Sequence, residues 1–353
     1  MSIDWSIGMQ QRIRYYEVDR STWRDYREID GVASCDVTRD LESSTLESAK
    51  LTIVGGTISE AVIRAYIECR QDGPWERFGI GTWICQTPRR TWRRGVGELE
   101  VRAYSPLLAV KDDKPPVFHT VHQGVDPAVA AIAALKHGIA PVHACSSGNE
   151  LDEPWSCDIG DSWLDEAWTM AGYADMGVRV RSDGEVYLDA DREPSALAPV
   201  WTYEDGANSI LIGGIDDECD WYGLPNVVQV VASTDTSTFV GEAVNNDGAS
   251  ALSTVSRGRD VVERITDPEL AVVTQASADR LARKKMEELG HVERRLTYEH
   301  GYCPVVIGDC VRVLSRRHGV NAKARVVKQT LSLKTGCTVT EEATCKMAMG
   351  GSI

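Results

Sequence analysis

Four arginines, Arg89, Arg90, Arg93 and Arg94, surround Trp92 in the run PRRTWRRG. Guanidinium forks grip carboxylates and phosphates in a bidentate fashion and stack on flat groups, so this cluster has the chemistry to hold a polyanion. It reads either as a contact for an acidic neighbouring subunit or a passing chain, or as a solvated hairpin tip. A run of opposite sign, Asp216-Asp217-Glu218-Cys219-Asp220, offers hard oxygen ligands to calcium. It lacks the alternating ligand order and central glycine of an EF-hand. It reads as a solvated acidic loop, or as a docking partner for the arginines.

Metal and catalytic signals are thin. His119 and His122 stand three apart, and His143 lies two before Cys145, with Cys157 further on. The chain has no Cys-x-x-Cys pair and no His-Glu-x-x-His, and structural zinc needs tight ligand spacing. Ordinary loop histidines and buried thiols are expected, and no metal or other cofactor. There is no Gly-x-Ser-x-Gly elbow and no P-loop, and Gly79-Ile80-Gly81 lacks the third glycine of a dinucleotide fingerprint. The many carboxylates are not placed together as a glycosidase pair. No catalytic residue is singled out, and a non-enzyme is expected. Trp75, Trp83, Trp92, Trp163 and Trp168 read as core or interface anchors, with sugar stacking as the sharper alternative.

The elements that must carry these residues are mostly strands. In GELEVRAY, Leu99, Val101 and Ala103 alternate with Glu98, Glu100 and Arg102. Ala49, Leu51 and Ile53 alternate with Lys50 and Thr52, and Ile63, Ala65, Ile67 and Cys69 with Arg64, Tyr66 and Glu68. A period of two sends one row to a core and the other to water. Short strands with regular turns point to a barrel or sandwich over residues 1–110. Pro115-Pro116 then break the pattern. A helix follows with Asp126 as N-cap and Pro127 at its first position. A second starts near Ser162, with Asp165 as capping-box partner. A hairpin turning at Asp183-Gly184 closes an α/β module over 111–195. Strands resume over 196–255, where Val227 to Val231 reads as a central strand. A helical segment at 256–292 places Ala278, Leu281, Ala282, Met286 and Leu289 on one face, closed by Gly290. Strands over 293–353 complete a second β block. The fold class expected is mainly β with α/β insertions, its two terminal blocks forming matching walls with separate interiors.

At 353 residues the chain is long enough for two or three domains, and 42% hydrophobic with 26% charged residues is a globular composition. No run of about 20 apolar residues is available to span a membrane, and the start, MSIDWSIGMQQRIRYY, lacks a secretory apolar core. Synthesis in a cytoplasm and ten reduced cysteines are therefore expected. The net charge of -15 excludes tight nucleic-acid binding by the whole surface but not DNA in passage.

Several segments, in this order, resemble the baseplate hub proteins of tailed phages and the N-terminal hub part of siphophage tail-tip proteins. They are GIGTWICQTP before VRAYSPLL, the helix and hairpin DSWLDEAWTMAGYADMGVRVRSDGEVYL, then DGANSILIGGIDDECDWYGLPNVVQVV, SRGRDVVERI, and Gly308-Asp309 before Val311. The resemblance covers nearly the whole chain. It implies two β-barrel-like tube domains per subunit, a peripheral α/β module, and a homotrimeric ring that adapts a sixfold tail tube to a threefold spike and gates the channel. Implied partners are other copies of the chain, the tail tube or distal tail protein, a spike or tip protein and the tape-measure protein. The implied location is the virion tail tip, after synthesis in the host bacterial cytoplasm. The chain ends soon after the second β block, which favours a short hub with a separate spike. A tail-tip peptidoglycan-degrading enzyme and a carbohydrate-binding adhesin are the alternatives.

Overall fold

The computed structural model describes residues 3–56, 60–93, 96–117, 119–233, 238–266, 274–289 and 291–348. The chain is mainly β. Its first seven strands are β1 (Gln10–Asp19), β2 (Arg24–Glu28), β3 (Val32–Asp40), β4 (Glu47–Val54), β5 (Val62–Arg70), β6 (Glu76–Arg93) and β7 (Val96–Tyr104). They pair antiparallel in the order β3-β4-β7-β6-β5-β1-β2. The register sets Ala49 opposite Ala103, Leu51 opposite Val101 and Ile53 opposite Leu99. All six are buried, as their alternation requires. The outer row of β5 departs from expectation, because Arg64 and Glu68 are buried too. Arg64 is held by Thr82 and Asp25 and by the Asp183 carbonyl. Glu68 accepts from Arg12 and Arg77. A paired charge tolerates burial where a lone one does not.

The next segment carries α1 (Leu107–Asp112), β8 (Thr120–Val121), α2 (Pro127–Leu135), β9 (Trp155–Ser156), α3 (Trp163–Tyr173), β10 (Met176–Val180) and β11 (Val186–Ala190). Both expected helix starts are present. Asp126 caps α2 and also accepts from Ser146, Ser147 and Gly148. Burial pushes its carboxyl up, but these donors outweigh burial and hold it well below the usual carboxylate range. Ser162 and Asp165 complete the capping box of α3. The β10–β11 turn places Gly184 at φ +81°, against the Thr82 and Trp23 side chains. Trp23 Nε1 and Arg64 Nη2 donate to the Asp183 carbonyl at 2.8 and 2.6 Å, and Thr82 Oγ1 donates to Ser182 O at 3.0 Å. Gly79 has no side chain where Ser182 seats, and Gly81 none where the Trp83 ring lies. The two glycines of the incomplete fingerprint thus serve close packing.

The chain divides into two compact units, Met1–Ile215 with Thr297–Ala343, and Asp216–Leu296 with Thr344–Ile353. Strands β12 (Trp201–Glu204) and β13 (Leu211–Cys219) lead toward the second unit. There β14 (Val227–Ser233) lies between β15 (Thr238–Val244) and β16 (Val262–Thr266), and is indeed central. The short α4 spans Thr254–Arg257. Helix α5 (Gln275–Leu289) lays Ala278, Leu281, Ala282 and Met286 on this sheet. Gly241 sits directly beneath the Ala278 backbone, where any Cβ would collide. Leu289 is 37% exposed rather than covered, and Gly290 lies outside the described residues.

The last strands are β17 (His291–Gly301), β18 (Cys310–Ser315), β19 (Val320–Ser332) and β20 (Thr338–Ala348). They extend the large sheet as β13-β17-β20-β19-β3, with β12 and β18 branching from β19. Two expectations are corrected here. The terminal blocks do not have fully separate interiors: β19 pairs with β3, and Tyr302, Leu331, Leu333, Cys337 and Val339 complete the core of the first block. Nor does either block close into a barrel among the described residues; the sheet is an open path from β13 to β2. The physical reason is edge satisfaction, since β3 and β19 supply each other's hydrogen-bond partners instead of closing on their own blocks.

Candidate interaction sites

The arginine cluster sits at the tip of the β6–β7 hairpin. Arg89 faces Glu100, Arg90 faces Leu99, Trp92 faces Gly97 and Arg93 faces Val96 across the ladder, with a register shift between Gln86 and Arg89. Pairing from β5 stops at Ile84 and from β4 at Glu98. Beyond Ile84 the tip therefore runs past β5, while β4 flanks it as far as Glu98, and Arg89, Arg90 and Trp92 are exposed, the indole by 67%. Trp92 lies across Gly97, where a Cβ would come within 3.2 Å of the ring. Arg90 stands over the indole at 5.8 Å and donates to the Gly56 carbonyl at 3.4 Å. Arg94 lies outside the described residues.

Asp216, Asp217 and Glu218 lie on strand β13, not in the loop expected from their charge. Strand alternation splits them. Asp216 and Glu218 are exposed, and Asp217 is half-buried. Asp217 takes both donors of Arg294 at 2.8 and 2.5 Å. That hydrogen-bonded carboxylate raises the Arg294 pKa. Asp217 therefore already has its arginine on β17. Glu218 and Asp220, with Tyr222, Leu224, Glu293 and Arg295, line a groove of about 450 Å³. Its rim loop is pinned: Arg257 donates to Leu224 O and Trp221 O at 2.8 and 2.9 Å, and the Tyr222 amide donates to Asp220 Oδ1 at 2.7 Å. Buried Asn226 holds the loop base through Leu252 O, Arg259 O and the Val261 amide. Trp221 and Tyr222 project from this loop, 45% and 93% exposed. The sequence reading missed this pair. Its signal was two aromatics directly after an acidic run and before Gly223, a turn rather than a core pattern.

The histidines are packing partners. His119 meets the edge of Trp163 at 4.8 Å and faces Glu166 at 3.3 Å, while His137 stacks on the same indole at 3.9 Å and meets Asp113 at 3.0 Å. His143 meets Glu185 at 2.6 Å, and His122 is exposed. Among the described residues no three metal-ligating side chains converge. Cys145 and Cys157 are half-buried free thiols. Burial pushes Cys35, Cys85 and Cys337 up to about 12, so they are inert as nucleophiles near neutrality. Trp83 is fully buried, Trp75 lies beneath Arg12 and Arg70, and Trp168 Nε1 donates to Ser44 O at 3.2 Å.

A second charged cluster, which the sequence did not signal, is buried in the first unit. Glu341, 0% exposed, accepts from Tyr298 at 2.5 Å and Gln329 at 2.7 Å, and lies 3.4 Å from both Tyr203 OH and His300 Nε2. Arg39 donates to Gln329 Oε1 at 2.8 Å and to Ile80 O at 2.5 Å, and meets Glu47 at 3.2 Å. Burial alone would lower the His300 pKa. Its contacts with Cys303 and Glu341 outweigh that and raise it to about 10. Burial, with the Glu341 charge, raises Tyr203 and Tyr298 well above the usual phenol range. The cluster joins β3 and β4 of the first block to β12, β17, β19 and β20 of the last.

No family model and no curated protein matches the sequence. Solved structures do. A tail protein from Neisseria meningitidis MC58 is similar at 15% identity and TM-score 0.62, covering 96% of this chain and 97% of that one. The 43 kDa tail protein of prophage MuSo2 from Shewanella oneidensis matches at 11% identity and TM-score 0.62, over 94% and 98% of the two chains. A chain of the lidded Francisella PdpA–VgrG complex matches at 7% identity and TM-score 0.57, over 95% of this chain and 53% of that one. Over more than nine-tenths of its length, this chain has the fold of these tail proteins.

Proposed function

We propose that the protein is a structural hub at the tip of a phage or phage-like tail. Three copies form a ring that adapts a sixfold tail tube to a threefold spike and gates the channel between them. The terminal β blocks, 1–110 and 293–353 with 196–255, supply the wall, and the 111–195 module decorates it. The observation that carries this reading is the coverage of the shared fold: nearly all of this chain matches nearly all of a tail protein and of a prophage tail protein. The similarity to a chain of a PdpA–VgrG complex supports a spike or tip protein as neighbour. The tail tube or distal tail protein would lie on the opposite side, with the tape-measure protein and DNA passing through. In this reading the chain performs no catalysis. The charged groups brought together in its interior are hydrogen-bonded and buried, and the exposed ones form surfaces rather than a water-excluding pocket. The test is light scattering on the full chain together with a cell-wall zymogram and a glycan array. A trimer without lytic or glycan-binding activity is expected. A cleared zymogram band or a specific glycan signal from a monomer would replace the hub with an enzyme or an adhesin.

A further inference from the structure

We propose that the β6–β7 tip of one copy seats in the Glu218–Asp220–Glu293 groove of the next copy. The inference rests on the ring reading above and names the contact that closes the ring. Two surfaces carry it, one from each unit of the chain. The tip is cationic and aromatic, with exposed Arg89 and Arg90 on the part of β6 beyond its pairing with β5, and a 67% exposed Trp92 beyond the β4 ladder as well. The groove is anionic and aromatic: Glu218, Asp220 and Glu293 against one arginine, Arg295, which already faces Glu293 at 3.3 Å. Exposed Asp216 adds to it from the same face of β13, whereas Asp217 belongs to Arg294 and takes no part.

The occupant is a second copy because the charges and shapes answer each other. In a chain of net charge -15 the tip carries Arg89 and Arg90, and a guanidinium pair matches carboxylates spaced along a strand. Trp92 has flat partners in Trp221 and Tyr222, held by the Arg257 clamp so that little order is lost on docking. Aromatic and arginine side chains are the usual energetic centres of such contacts. The two surfaces differ, so the contact is head-to-tail, and head-to-tail contacts close into rings when the rotation allows.

The test uses the full chain and native mass measurement in low salt. Arg89→Glu with Arg90→Glu removes the tip, and Glu218→Arg with Asp220→Arg removes the groove. Each double variant is expected to fall threefold in mass, from trimer to monomer. Mixing the two is expected to give dimers, because one intact tip and one intact groove remain and cannot propagate. All four changes in one chain are expected to restore the trimer. If either double variant stays trimeric beside a trimeric wild type, this contact is wrong and the ring stands. Monomers in the mixture, or failure of the four-site chain to reassemble, also overturn it. A wild type monomeric at every concentration defeats the ring itself, and the contact with it.

Discussion

Arg39 and Arg90 are both strand arginines of the β3-to-β2 sheet, and they live in opposite conditions. Arg39 is 1% exposed and its guanidinium meets Glu47, Gln329 and the Ile80 carbonyl. Arg90 is exposed and meets one carbonyl at 3.4 Å and the face of an indole. The same contrast separates Glu341, wrapped by Tyr298, Gln329 and His300, from Glu218 on the open face of β13. Charges that specify which strands come together are isolated in sequence and buried. The charges proposed to meet other molecules are clustered and exposed. If that division holds, changes to the first set should move stability, and changes to the second should move assembly.

The largest effect is expected from Glu341→Leu. It leaves a buried His300 cation and three donors without an acceptor, at a cost of about 3–5 kcal/mol in urea unfolding. A loss under 1 kcal/mol would mean that the cluster is not what joins the terminal strands. Gln329→Leu, which strips Arg39 and Glu341 of their shared bridge, is expected to cost about 1–3 kcal/mol by the same measurement. His300 adds a pH dependence. Its folded pKa, about 10, lies above the ordinary 6.5. Its stabilisation is therefore complete below pH 6.5 and is lost as pH rises toward 10, by about 1.4 kcal/mol per pH unit. His300→Gln should flatten that slope, and an unchanged slope would assign it to other groups. Asp126→Ala removes the α2 cap and the acceptor for Ser146, Ser147 and Gly148, with an expected loss of about 1–2 kcal/mol. The smallest stability effect is expected from Arg89→Glu with Arg90→Glu. These exposed changes should shift urea unfolding by less than about 0.5 kcal/mol, although they abolish assembly. A large destabilisation would erase the distinction between the two sets.

This division also explains what the sequence disclosed. Local signals were legible: the alternation through Leu51 and Val101, the capping box at Ser162, the turn at Gly184 and the central strand at Val227. Each depends on neighbours within a few residues. The exposed charge clusters were legible for the same reason. The latch was not. Arg39 and Gln329 are 290 positions apart, and a lone polar residue in an alternating strand looks like its solvent-facing row. Arg64 and Glu68 misled in the same way, because their partners lie on β1, β6 and the distant 183 turn. The run at Asp216 looked like one acidic loop. Strand geometry instead turned Asp217 inward to Arg294 and left Asp216 and Glu218 outward. The meeting of β3 with β19 left no local trace, since either edge reads the same whether it is paired or open.

The most direct test of the hub is class-averaged electron microscopy of the full chain. Threefold rings, built from identical subunits around a central opening, are expected. Solitary particles without that symmetry, persisting at every concentration at which the chain is folded, would contradict it.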